Sequence, residues 1–368
     1  MKSKRYRARR PAPDYENWKR ALQDLINENN FRHARQNRHV SYLTREQRAR
    51  GLFRIFLLLR AMGYRLAPRN LGGRHIECLM RYWTADPTLA PELAKRIPKH
   101  RMPWLPVKPY SPAYIQLQLS FLRAFSAWIG KPGLVLTARR YVDDHSLIRR
   151  TLNATTDRSW DAHQVDFEAI LAKVHAADPR VALQLEVMRA FGLRKKEAVM
   201  FSPSCAEVPA HALPATAEPG PFLMFIRIKR GTKGGRVRYT AVRTPEQANV
   251  LARARECAPA PGSHIGAPGL TLKQALKRFS NVLARAGVNR KELGVTPHGL
   301  RHQFASDLFV ELTEVPPPIR NGELNLEQEA VAAAYLEVAR QLGHGRPQIA
   351  GAYLGAPRST RQGSAGTC

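Results

Sequence analysis

The sequence predicts a mainly α chain in two domains, a helical N-terminal domain followed by an α+β domain with a small β-sheet. Three observations carry this expectation. At 368 residues the chain is too long for one ordinary core. Apolar residues recur at helical spacing throughout the first 130 positions, and only one later stretch alternates with the period of a strand.

Residues 1–12, beginning MKSKRYRARR, read as a basic disordered arm, charged like a signal peptide but without the apolar run that should follow, so no export is expected. A helical domain is expected over 13–150. Thr44 with Gln47 suggests a capping box, after which Leu52, Ile55, Phe56 and Leu59 keep helical spacing until Gly63. Weaker helices are expected at 70–83 and 91–96, with RMPWLPVKPYSP an extended connection. From Ser111-Pro112 a second strong helix places Ile115, Leu119, Leu122, Phe125 and Ile129 on one stripe, and Trp83, Trp104, Trp128 and Phe125 are assigned to the core.

Between Lys131 and Trp160 periodicity fades while arginines accumulate, which sets the domain boundary there. The second domain is expected over 155–355. Its helices are predicted at 163–176, at 179–191 with Gly192 as the break, and briefly from Arg194. FLMFIRIK and RVRYTAV flank RGTKGG as a hairpin. Thr244-Pro245-Glu246-Gln247 starts another helix through Arg255, and further helices are predicted at 272–286, 298–312, 326–341 and 347–354. The C-terminal tail, 356–368, shows no apolar stripe.

Charge narrows the function. Lys and Arg number 59 against 29 Asp and Glu, a net charge of +30, and such an excess calls for a polyanion, with nucleic acid the first choice. Apolar runs such as IFLLL, flanked by Arg54 and Arg60, are far too short to span a bilayer, so no membrane role is expected. Cys78, Cys205, Cys257 and Cys368 are scattered without a C-x-x-C pair, which argues against disulfides and structural zinc and for a reducing cytoplasm, where a DNA partner implies nucleoid association. Asp143-Asp144 and the isolated Asp307 do not form the carboxylate cluster that magnesium chemistry needs, and no Walker or dinucleotide fingerprint occurs, so neither metal nor cofactor is expected.

The stretch TPHGLRHQFASDLF puts His298 and Arg301 three residues apart at the start of what reads as an amphipathic helix, where free backbone N–H groups also favour an anion. Downstream, QLGHGRPQIAGAYLG places His344 in a turn and Tyr353 nine residues on. Upstream, AFGLRKKEAV places Arg194 after a glycine-leucine pair, with Glu197 three residues later, and RGTKGG puts Lys233 at a hairpin tip.

In this order the fragments resemble the tyrosine recombinase, or phage integrase, family, whose landmarks are an arginine after a glycine-leucine pair, a hairpin lysine, an H-x-L-R-H box, an L-G-H box and a tyrosine nine residues beyond. The resemblance covers about the last 210 residues by motif. It implies a helical core-binding domain followed by a recombinase catalytic domain with Arg194, Lys233, His298, Arg301, His344 and Tyr353 as catalytic residues.

The chemistry fits the residue types. Displacement at phosphorus concentrates charge on the non-bridging oxygens, which two guanidinium groups, Arg194 and Arg301, can bind through paired donors. His298 and His344 can donate further hydrogen bonds, and His298 is the better acceptor for the tyrosine proton. Tyrosine, with an ordinary pKa of about 10, needs such a cluster to become a nucleophile. The resemblance assigns Lys233 the protonation of the leaving 5′-hydroxyl.

Glu197 and His302 are expected as structural support. Arg236, Arg238, Arg139 and Arg140 are expected to touch DNA. The segment 313–330 is longer than the family's usual connection and reads as a surface insertion suited to a protomer contact. The function so implied is site-specific recombination through a 3′-phosphotyrosine, for integration or excision of a mobile element, by a homotetramer on two double-stranded DNA sites, with accessory DNA-bending or directionality proteins. A type IB-like topoisomerase and a catalytically silent architectural DNA-binding protein remain as alternatives.

Overall fold

The computed structural model describes residues 17–32, 39–215, 217–321 and 326–357. The expected basic arm, residues 358–368 of the tail and residues 322–325 of the insertion lie outside the described residues. The chain divides after Arg150 into two compact units.

Unit one is helical. It contains α1 (Trp18–Asn29), α2 (Tyr42–Ala61), α3 (Gly73–Trp83), α4 (Leu89–Ala94) and α5 (Pro112–Trp128). Helix α1 lies outside the predicted helices, although Trp18, Leu22, Leu25 and Ile26 bury one face at helical spacing. Helix α2 begins earlier than the Thr44 capping box implied. The hydroxyl of Ser41 accepts from Thr44 N at 3.2 Å, which places Thr44 inside the first turn. Ser111 caps α5 in the same way, with Pro112 at the first helical position, where its missing N–H costs nothing. The two predicted stripes meet in one core, and the rings of Phe56 and Phe125 lie 5.3 Å apart edge to face. Trp104 is a correction. It is 68% exposed, because the flanking prolines hold its segment extended outside any helix that could turn the ring inward.

Unit two is α+β. Helices α6 (Phe167–Ala177) and α7 (Pro179–Phe191) meet at Asp178, which ends the first and caps the second by accepting from Val181 N at 3.3 Å. After α8 (Lys195–Val199) come three antiparallel strands, β1 (Glu207–Pro209), β2 (Met224–Ile228) and β3 (Arg238–Ala241), in the order β1-β2-β3. The hairpin of β2 and β3 was expected, whereas β1 is too short to register as alternation. The predicted helix start at Thr244 is a capping box with Gln247, from which α9 (Pro245–Cys257) runs, and α10 (Leu272–Arg285) follows.

Helix α11 (Gly299–Thr313) is not the amphipathic helix expected. Leu300 through Ser306 are all buried because α11 packs against both α7 and α12 (Gln328–Gln341), so it forms the central rod of the unit. The last element is α13 (Gly351–Leu354). Among the described residues, no helix is long and apolar enough to cross a membrane.

Candidate active site

Each side chain of the site is delivered by the end of an element. Gly192 closes α7 in the left-handed conformation, φ 57°, and a Cβ there would meet the Phe304 ring at 2.7 Å, so glycine is required both by the turn and by the close approach of α11. The carbonyl this turn exposes accepts from the Nη1 of Arg301. Two residues on, Arg194 starts α8, and Glu197 reaches back to it with one oxygen on Arg194 N at 2.9 Å and the other on Arg194 Nη1 at 2.7 Å.

Glu197 is fully buried and holds more than Arg194. Its Oε2 also accepts from Arg238 Nη2 at 2.9 Å and lies 3.9 Å from Arg301 Nη1. Burial would raise this carboxyl, but the charges of Arg238 and Arg301 and the Arg194 backbone donor outweigh burial and hold it down to about 2. The expectation of structural support is therefore too small for Glu197, which is the common counter-charge of three arginines.

Arg238 is a correction. Expected to contact DNA, it is buried, with donors on Glu197, the Thr240 hydroxyl and the Gln341 carbonyl. Register explains this. Arg238 pairs with the buried Ile228, and its side chain therefore enters the sheet's inner face. Arg236 stays exposed, as do Arg139 and Arg140 in unit one on the turn Ala138–Arg140. Arg139 lines an open cleft of about 890 Å³ together with Arg149 and Arg150.

Arg301 and Tyr353 form the centre. Arg301 Nε donates to the Tyr353 hydroxyl oxygen at 3.0 Å, and the guanidinium carbon lies 5.6 Å from the phenol ring centroid. Two of its other donors go to the carbonyls of Gly192 and Leu342. Arg301 is 0% exposed and Tyr353 6%, so the phenol covers a guanidinium that was expected to bind phosphate. The accessible arginine of the cluster is Arg194, with a side chain 25% exposed.

His344 sits between the two arginines. Its Nε2 is 3.3 Å from Arg194 Nη2 and 3.5 Å from Arg301 Nη2. A guanidinium can only donate, so Nε2 presents its lone pair and the ring is neutral, with its proton on Nδ1. Burial first, then the charges of Arg301 and Arg194, push this imidazole down to about 4. His298 and His302 are likewise held near 4, chiefly by the protein around them.

His298 stands exposed at the rim, with its ring 6.3 Å from that of Tyr353. His302, expected only to support, packs closer. It is buried, its ring lies 4.9 Å from Tyr353, and its Nδ1 has no hydrogen-bond partner. One turn of α11 separates His298 from His302, and because α11 is buried on nearly all sides both rings face the phenol.

Lys233 is exposed in the turn Lys233–Gly235 and is not brought into contact with the cluster, although its charge reaches His344. Its hairpin is seated nearby, since Gly231 lies against the backbone of Lys196 and Glu197. Among the described residues, no three His, Cys, Asp or Glu side chains gather closely enough to hold a metal ion.

Residues 148–307 match the family model described as integrase. The match contains Arg194, Lys233, His298 and Arg301 and ends before His344 and Tyr353. No curated protein matches the chain in sequence. Among solved structures, a lambda integrase dimer bound to a COC′ core site is similar at 12% identity over 96% of this chain and 83% of that one, with a TM-score of 0.49. The XerH site-specific recombinase bound to difH substrate, a pre-cleavage complex, is similar at 13% identity over 94% of each chain, with a TM-score of 0.47.

Proposed function

We propose that the chain is a site-specific DNA recombinase of the integrase family, whose model matches residues 148–307, and that it uses Tyr353 as its nucleophile. The observation that carries the reading is the 3.0 Å hydrogen bond from Arg301 to the Tyr353 hydroxyl, within a cluster that also holds Arg194 and His344. A guanidinium donating to a phenol oxygen favours the charge that grows there as the proton leaves.

The Nη2 donors of Arg194 and Arg301 converge on one acceptor, His344 Nε2. A non-bridging phosphate oxygen is a stronger acceptor and takes that position when DNA binds. The Tyr353 ring shifts from over Arg301 as the phosphate enters, which turns the phenol oxygen toward phosphorus.

The step balances as follows. The Tyr353 oxygen forms a bond to phosphorus, its proton passes to neutral His298 at the rim, and the P–O5′ bond breaks. The 5′-oxygen leaves with a proton from Lys233, which the hairpin carries in. The product is a 3′-phosphotyrosine, whose bond energy lets another strand's 5′-hydroxyl reverse the step without ATP. Such an exchange serves a mobile element's integration or excision and requires protomers on two DNA sites, four in all, with accessory DNA-bending proteins fixing direction. Arg236, Arg139 and Arg140, all exposed, carry the phosphate contacts that hold the duplex. A cytoplasmic, nucleoid-associated location follows from that partner.

The test begins with duplexes selected for binding from a randomised pool, two copies of which are placed in one plasmid. Inversion or excision of the intervening DNA, lost in Tyr353→Phe, is the expected result. Relaxation of supercoils with no recombinant product would replace the reading with a topoisomerase. Binding with neither product would leave an architectural protein.

A further inference from the structure

The insertion after α11 does not simply extend from the surface. The part of it that precedes residue 322, 314–321, folds back onto the chain's own α13. Pro317 and Pro318 are buried, and Val315 packs against the cluster that contains Tyr353 and Leu354. Gly355, the residue that ends α13, has φ 85°, and a Cβ there would lie 3.0 Å from Ile319 N. Its carbonyl accepts from the Tyr335 hydroxyl at 3.0 Å.

The other end of α13 is held by a different segment. Gly351 O accepts from Ala154 N at 2.7 Å, and the Asn153 side chain lies directly against Gly351. A single residue joins the two holds. Arg320 Nε donates to Asp157 Oδ2 at 2.8 Å and its Nη2 to the fully buried Ser159 hydroxyl at 3.0 Å, while Asp157 Oδ1 accepts from Ser159 N at 2.8 Å. The Arg320 and Asp157 side chains are only 27% and 10% exposed, so the pair is more than a loose surface contact.

We propose that Arg320 is a positioning residue. By tying the 317–320 turn to the 157–159 segment it closes a clamp around the four-residue helix α13 and keeps Tyr353 where its oxygen meets Arg301. So short a helix has almost no stability of its own, and its place is set by what packs on it. A displacement of about 1 Å in a reacting group can cost about 100-fold in rate, so loosening the clamp reaches the chemistry without touching the DNA. The proposal rests on Tyr353 being the nucleophile, and its test separates the two claims.

Arg320→Gln, Arg320→Lys and Asp157→Asn are compared with the unaltered chain by amide exchange of residues 350–355 without DNA, and by the rate of covalent adduct formation on saturating nicked duplex. In Arg320→Gln the amides of Tyr353, Leu354 and Gly355 exchange about tenfold faster and the adduct forms about tenfold more slowly, with DNA affinity within about twofold. Arg320→Lys, which keeps a charged donor for Asp157, recovers most of both. Asp157→Asn matches Arg320→Gln, and the double variant is no worse than either. Unchanged exchange at 350–355 overturns the clamp, and faster exchange with an unchanged adduct rate overturns the positioning role. Should the unaltered chain form no adduct, the nucleophile reading fails while the exchange result still decides the clamp.

Discussion

Glu197→Gln removes one negative charge and almost no volume, yet it strikes the point where Arg194, Arg238 and Arg301 converge. The drop of the Glu197 carboxyl from 4.5 to about 2 corresponds to about 3 kcal/mol in favour of the carboxylate. Neutralising it leaves Arg238 and Arg301 buried against each other, and breaking a buried pair from one side costs about 3–5 kcal/mol. The two routes together give a loss of about 3–5 kcal/mol for unit two, measurable by urea titration with pulsed proteolysis.

The same loss should depend on pH. The native carboxyl titrates below the unfolded one, so its contribution is complete above pH 4.5 and disappears as pH falls toward 2. The gap between the two proteins therefore narrows over that window. A gap under about 1 kcal/mol near neutrality, or one that stays constant from pH 4.5 down to 3, would refute Glu197 as the common counter-charge.

Four other substitutions follow from the geometry. In His302→Gln, acid sensitivity should fall. The native imidazole is held near 4 against an ordinary 6.5, so the unaltered chain loses stability as pH drops through that interval, by up to about 3 kcal/mol, and thermal melts from pH 7 to 4 should show the variant losing less. Gly192→Ala places a Cβ 2.7 Å from the Phe304 ring at a positive φ and moves the carbonyl that holds Arg301, so it should destabilise by about 2 kcal/mol or more in urea and slow cleavage more than it weakens DNA binding. Arg236→Ala should weaken DNA binding and lower the salt slope by about 1, whereas Arg238→Ala should lower stability and leave that slope unchanged, both read from binding isotherms across a salt series.

Much of the fold was legible because long apolar stripes and capping residues are local signals. The helices α5, α7 and α9 begin where Ser111-Pro112, Asp178-Pro179 and Thr244-Pro245 put their caps. Strand β1 is not legible in the sequence because it has only three residues and owes its conformation to β2, whereas helix α1 carries a clear stripe of Trp18, Leu22, Leu25 and Ile26.

At the site, residue types and spacing drew attention to Arg194, His298, Arg301, His344 and Tyr353, and the fold brings these together from segments more than 150 positions apart. What spacing could not supply was burial. Arg236 and Arg238 look equivalent in the sequence, yet strand parity sends one to solvent and the other to Glu197. His302, expected only as support, lies with its ring 4.9 Å from that of Tyr353 on a helix buried on nearly all sides. Nothing local marks α11 as buried on nearly all sides, since that depends on what α7 and α12 lay against it.

The nucleophile is one oxygen atom, and mass mapping reaches it directly. The chain is trapped on a nicked duplex, digested with nuclease and protease, and the peptide bearing the residual nucleotide is sequenced. A 3′-phosphate ester on Tyr353, absent when Arg301 is replaced by Ala, is the predicted result. A nucleotide carried by any other side chain, or an adduct undiminished in Tyr353→Phe, would contradict the account.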